Sequence, residues 1–216
     1  MRSSAVSMRS EAASLDVGGP QLRRSRRQLL LDAAADLFLH HPYDSVTVGM
    51  IASEAGISGP GLYRHFQNKQ ALLIAVVEEG LQELHQFARA TVDSEPDPRT
   101  ALEALVDFHV RSSLTEPPRS LIFLKNEHAF PESDRRRIRR EMNLYAQEWV
   151  LIVLQLRPDI SEPQVRLLTQ AVFSMLNSVA TLNKGLDQEE IVATMSTAAI
   201  QALTSRTSRQ AGWTSP

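Results

Sequence analysis

Apolar residues return every three to four positions through most of the chain, the spacing of one face of an α-helix. Over residues 23–40 that face is Leu30, Ala33, Ala34, Leu37 and Phe38. His41-Pro42 ends the run, because a residue before proline is pushed out of the α region. Thr47 is placed to cap a short helix over 48–55, with Gly56 as its stop. Ser58 is placed to cap a second short helix reaching residue 66, with Pro60 in its first turn. Asn68 then opens a long helix over 69–91, whose Leu72, Leu73, Val76, Val77, Leu81 and Leu84 hold the period. Past the break at residues 94–98 the pattern predicts helices over 99–115, 119–127, 133–156, 162–183 and 188–204. Ser161 with Gln164, and Asp187 with Glu190, have capping-box spacing. The only β-branched cluster, residues 45–48, is cut short by turn signals. The fold class is therefore all-α: about nine helices, an N-terminal three-helix unit, a long connector and a C-terminal bundle, with no internal repeat.

Composition narrows the possibilities. The chain has 216 residues, 43% hydrophobic and 22% charged, enough apolar material for a real core. Cysteine is absent, which excludes disulfides, thiol catalysis and cysteine-ligated metal. No stretch approaches the roughly 18–20 apolar residues of a membrane span. Residues 1–20 have no sustained period and no apolar signal region, so they read as a disordered leader, and residues 205–216 as a disordered tail. The expected setting is the cytoplasm.

Two short helices joined at Gly56-Ile57 have helix-turn-helix spacing, in which the first helix braces the second as it enters the DNA major groove. Thr47-Val48-Gly49-Met50-Ile51-Ala52-Ser53-Glu54-Ala55-Gly56-Ile57-Ser58 and Leu62-Tyr63-Arg64-His65-Phe66-Gln67-Asn68-Lys69 resemble the TetR family of transcriptional repressors. The pattern there is roughly T-x-x-x-I-A-x-x-A-G-[VI]-S-x-x-x-[LI]-Y-x-[HY]-F-x-[ND]-K. The resemblance implies a helix-turn-helix DNA-binding domain over 21–68 and an effector-binding and dimerisation domain over 69–204. It further implies a homodimer that binds a palindromic operator and releases it when a small, apolar or acyl-type molecule binds. By position, Thr47 then caps the first motif helix and contacts phosphate, Tyr63 and His65 reach phosphate or the groove wall, and Lys69 adds charge at a helix start facing the phosphates.

The departures from that pattern matter. Gly49 stands where many members carry arginine, and the recognition helix opens Ser58-Gly59-Pro60-Gly61. Side chains for direct base reading reduce to Ser58, Pro60 and Arg64. Its glycines suit close backbone approach or reading of DNA shape. Charge is uneven: residues 1–27 carry +4, residues 28–70 carry −2 and residues 71–216 carry −4. Arg23, Arg24, Arg26 and Arg27 are therefore expected to supply much of the phosphate or minor-groove binding.

In the C-terminal block Phe108, His109, Leu121, Lys125, His128, Tyr145, Trp149, Phe173 and Asn177 are candidates for an effector pocket, against core packing as the alternative. Arg135, Arg136, Arg137, Arg139 and Arg140 read either as a solvated face paired with Glu132, Asp134 and Glu141 or as a phosphate clamp. Val172, Met175, Leu176, Val179, Leu182, Ile191, Met195 and Ala199 form apolar stripes, assigned to a four-helix dimer seam because the family dimerises there.

No enzyme signature survives inspection: the glycine segments fit neither a nucleophile elbow nor a dinucleotide fingerprint, and the histidines lack paired metal spacing. The expected partners are double-stranded DNA, a small-molecule effector and a second copy of the chain, with no cofactor, metal or membrane. Two other readings stay open, a ligand-binding helical dimer with a weakened DNA head and an all-α enzyme.

Overall fold

Capping side chains fix where the helices start. Ser25 Oγ accepts from the Gln28 amide at 3.1 Å, Thr47 Oγ1 from Met50 at 3.1 Å and Asn68 Oδ1 from Ala71 at 2.7 Å. Each such cap is worth about 1 kcal/mol. The Asp187–Glu190 box closes in both directions, at 2.9 and 3.0 Å.

The computed structural model describes residues 25–115, 118–181 and 185–206. Among the described residues there are nine α-helices: α1 (Arg26–His40), α2 (Val48–Glu54), α3 (Gly59–Tyr63), α4 (Lys69–Ser94), α5 (Pro98–Thr115), α6 (Arg119–Lys125), α7 (Glu132–Leu156), α8 (Glu162–Asn177) and α9 (Gln188–Thr204). Single 3₁₀ turns lie at Tyr43–Ser45, Glu127–Ala129 and Ser178–Ala180, and no strand occurs among the described residues. The leader, Arg23, Arg24, Leu182 and the tail from residue 207 onward lie outside the described residues.

α3 and α8 end three and six residues earlier than their periodicity predicts. α3 stops at Tyr63, and the next turn tightens, with the His65 amide bonding the Leu62 carbonyl at 2.8 Å. α8 stops at Asn177, where Ser178 Oγ donates to the Met175 carbonyl at 2.7 Å and competes with the helical ladder.

Packing divides along α4, not at its first residue. One core joins α1, α2, α3 and the first half of α4 to Ile122 and Phe123 of α6, then to Phe130 and Ile138. A second gathers the far end of α4 with α5, α7, α8 and α9 around Trp149. α6 crosses α4 at Gly80, where a Cβ would sit 2.0 Å from Arg119 Cγ. Only glycine admits that crossing. No described helix is long and apolar enough to cross a membrane.

Candidate DNA-contacting face and effector cavity

α2 and α3 pack through Ile51, Ala52 and Leu62, all buried, against α1. Gly56 makes the turn between them at φ 64°, a conformation open to glycine at no steric cost, and the Ile57 amide closes on the Ala52 carbonyl at 2.8 Å. Thr47, Gly49, Ser58, Pro60, Tyr63, Arg64 and His65 all remain exposed on this unit. Tyr63 is 59% exposed, large for an aromatic side chain with an apolar ring. Ser58 holds the N-cap position of α3 without a side-chain bond, so its hydroxyl is not spent on the helix. The glycines differ in role. A Cβ on Gly49 would touch only Thr47 Oγ1, at 3.7 Å, and one on Gly59 would meet nothing within 4 Å, whereas a Cβ on Gly61 would lie 2.8 Å from Ile57 Cγ2, so Gly61 serves the turn.

Two basic candidates are already engaged. Lys69 Nζ donates to the Tyr43 and Val46 carbonyls at 2.7 and 2.8 Å and lies 3.9 Å from the Tyr43 ring centroid. That fastens the α1–α2 loop to α4 and leaves one N–H for any other acceptor. Arg27 pairs with Glu79 and stacks over Phe66 at 5.3 Å. Arg26 stays exposed.

Between the two cores, α4, α6, α7 and α8 surround a cavity of about 350 Å³. Leu81, Leu84, Leu121, Met142 and Phe173 line it, and no charged residue does. Its polar atoms come from Ser120, Tyr145, Gln170, Ser174 and Asn177, among others. His109 bridges its wall, with Nδ1 3.0 Å from Tyr145 Oη and Nε2 3.1 Å from Asn177 Oδ1. Asn177 Nδ2 in turn donates to Ser120 Oγ at 3.1 Å. Burial holds His109 down to about 4, so the imidazole is neutral. The same burial pushes the Tyr145 phenol up, so it keeps its proton. A smaller cavity of about 210 Å³ adjoins it and shares Leu84, His109, Ser120 and Asn177.

Both halves of the chain match known regulators. The family model for bacterial regulatory proteins of the tetR family matches residues 30–76, and that for the tetracyclin repressor-like C-terminal domain matches residues 95–203. The chain belongs to the TetR family. Its head is thus that of a tetR-family bacterial regulatory protein, and its C-terminal part is a tetracyclin repressor-like domain. Over 90 residues it is 38% identical to the HTH-type transcriptional activator FasR of Mycolicibacterium smegmatis, covering 40% of this chain and 41% of that one. Over 84 residues it is 39% identical to the HTH-type transcriptional repressor KstR2 of Rhodococcus jostii, covering 39% and 41%. These matches span about two fifths of the relatives' length. The crystal structure of AibR with isovaleryl coenzyme A and operator DNA shares the fold, with a TM-score of 0.65 and 20% identity over 81% of this chain and 97% of that one.

In this TetR-family regulator the cavity collects some of the expected effector residues and not others. His109, Leu121, Tyr145, Phe173 and Asn177 line it, and Phe108 lines the smaller cavity while stacked on Phe87 at 3.7 Å. Trp149 does not reach the space: it is fully buried behind His109 and Phe173. Lys125 and His128 are also absent from the walls. Lys125 Nζ donates to the Leu39 carbonyl at 2.8 Å, and His128 faces Asp44 on the surface, because the chain leaves the cavity wall at the end of α6. Periodicity overlooked Ser120, Gln170, Ser174, Ser178 and Thr181. The last four, with Asn177, form a polar stripe along α8 and the turn that follows it.

The expected dimer stripe faces mostly inward in the single chain. Val172, Leu176, Val179, Ile191 and Ala199 are buried within the single chain, and Met175 and Met195 pack on the same core. A residue already shielded has little area left for a partner. The outward side of these helices is formed by Leu167, Ala171, Ala193, Thr194, Thr197 and Ala202, all exposed and uncharged. The arginines of α7 are mostly paired, Arg135 and Arg136 with Glu132, Arg137 with Glu78 and Asp134, and Arg139 with Glu127.

Proposed function

We propose that the protein is a ligand-responsive repressor that works as a homodimer. Two recognition helices would enter successive major grooves about 34–36 Å apart on a palindromic operator. Thr47, Ser58, Pro60, Tyr63, Arg64 and His65 would face the DNA, with Arg23, Arg24 and Arg26 adding phosphate contacts. Occupation of the cavity by a small, apolar or acyl-type effector would favour a state whose recognition helices no longer match those grooves. The outward side of α8 and α9, from Leu167 to Ala202, is the surface we assign to the second copy. The family is one of regulators, and we read this member as non-enzymatic.

The observation that carries this reading is the position of α6. One side of it, through Ser120, Leu121 and Leu124, walls the cavity. Its far end holds the C-terminal carbonyls of α1, with Lys125 on Leu39 at 2.8 Å and Asn126 Nδ2 on Phe38 at 3.0 Å. A ligand that displaces this short helix therefore acts on the head directly, beside the route along α4.

A gel shift with the DNA upstream of its own gene, combined with native mass spectrometry of freshly purified protein, tests it. The expected result is a retarded band formed by a dimer, reversed by whichever small molecule co-purifies. A protein that retards no DNA, or a ligand that tightens the complex, would defeat the repressor reading.

A further inference from the structure

The hydrogen bonds around His109 have a fixed direction. A neutral imidazole carries one N–H, and the Asn177 Oδ1 facing Nε2 only accepts. Nε2 therefore holds the hydrogen, and Nδ1 is an acceptor. Tyr145 Oη at 3.0 Å must then be the donor to Nδ1, as suits a buried phenol that keeps its proton. Asn177 spends one amide N–H on Ser120 Oγ at 3.1 Å. The relay runs from Tyr145 through His109 and Asn177 to Ser120, and its last hydrogen is that of the Ser120 hydroxyl. Ser120 is half-buried on the wall shared by the two cavities, where that hydrogen meets whatever fills them.

We propose that the larger cavity binds an uncharged, mainly apolar molecule through one acceptor oxygen of carbonyl type, seated against Ser120 Oγ and Asn177 Nδ2. This rests on the reading of the cavity as the effector site and names the chemistry it selects. Three observations converge on it. No Asp, Glu, Lys or Arg lines the larger cavity, so a charge inside it would lack a counter-charge. The relay ends on a donor, so a ligand offering an acceptor completes it and one offering only C–H leaves it open. The volume of about 350 Å³ also exceeds the roughly 150 Å³ that suits benzene. By that standard it takes a body of up to about fourteen carbons. Because Ser120 belongs to α6, the same contact pulls on the helix that holds α1.

Three ten-carbon probes separate the possibilities: butyrophenone, butylbenzene and 4-phenylbutyrate, measured by calorimetry on the full chain. The ketone should bind about tenfold tighter than the hydrocarbon, the worth of one buried hydrogen bond. The carboxylate should bind more weakly than the ketone. In Ser120→Ala the ketone's advantage should shrink to about threefold or less while butylbenzene binding holds, which also shows that the variant is folded. Equal affinity for ketone and hydrocarbon in the wild type, or an undiminished ratio in Ser120→Ala, would overturn the acceptor reading alone. Tightest binding of the carboxylate would place an anion site there instead. Binding of none of the three would defeat the effector-cavity reading as well.

Discussion

In the head, Thr47, Ser58, Tyr63, Arg64 and His65 stand on the surface while Leu30, Ile51 and Leu62 are wholly buried. In the body the arrangement turns inward. His109 is 5% exposed, Asn177 and Ser120 are half-buried, and a cavity lies against them. On the function proposed above, the head offers its polar groups to a partner that arrives from outside, so they need no internal partners. The body would take its partner into the interior, so its polar groups largely satisfy one another in the empty chain. The difference also separates stability from recognition: in the head they fall on different residues, in the body on the same ones.

The largest way to break this contrast is Trp149→Ala. Trp149 packs on His109, Tyr145 and Phe173 with ring centroids at 5.8, 6.1 and 4.8 Å, and removing it should cost about 3–5 kcal/mol in chemical denaturation. A loss under about 1 kcal/mol would mean that the body tolerates a second cavity beside the first.

Acid should weaken the body next. Folded His109 stays neutral down to about 4, whereas the unfolded chain takes up a proton near the ordinary 6.5. The unfolded state thus binds more protons between these values. The stabilisation is complete above about pH 6.5 and drains away as pH falls toward 4, at about 1.4 kcal/mol per unit. Denaturation midpoints at pH 6.5 and pH 5 should therefore differ by on the order of 2 kcal/mol from this group, and His109→Gln should remove that part. An unchanged pH profile in the variant would show that His109 is not the titrating group.

A smaller effect sharpens the head's side of the comparison. Lys69→Met removes two bonds to carbonyls and should lower stability by about 1–2 kcal/mol. Tyr63→Ala should change stability by less than about 0.5 kcal/mol yet weaken operator binding about tenfold. If Lys69→Met weakens only DNA binding, the lysine is a phosphate ligand and its fastening of the loop is incidental.

The head could be read closely from residues alone because its signals are local. Thr47, Gly56 and Asn68 act within four positions of themselves, so caps and turn appear where the one-dimensional pattern puts them. The same pattern leaves two readings open wherever two surfaces compete for one apolar stripe. Val172, Leu176 and Ala199 recur at the spacing that suits a dimer seam and at the spacing that suits a monomer core, and periodicity has no term that separates these. Lys125 and His128 looked like ligand-orienting groups on a central helix, until the end of α6 turned them toward α1 and the surface. Arg27 shows a contact of the same long-range kind in the head: counted as a charge for DNA, it also pairs with Glu79, 52 positions further along the chain.

By itself, then, the amino-acid order determined the helical class, the nearest-neighbour caps, the glycine turn at Gly56 and the helix-turn-helix motif, because each depends on residues a few bonds apart. The tertiary structure alone decided which apolar stripes face inward, that Gly80 makes room for Arg119, and that Tyr145, His109, Asn177 and Ser120 meet across four helices. Those outcomes hang on contacts between residues 36 to 68 positions apart, set by how whole helices cross, and no local spacing encodes a crossing.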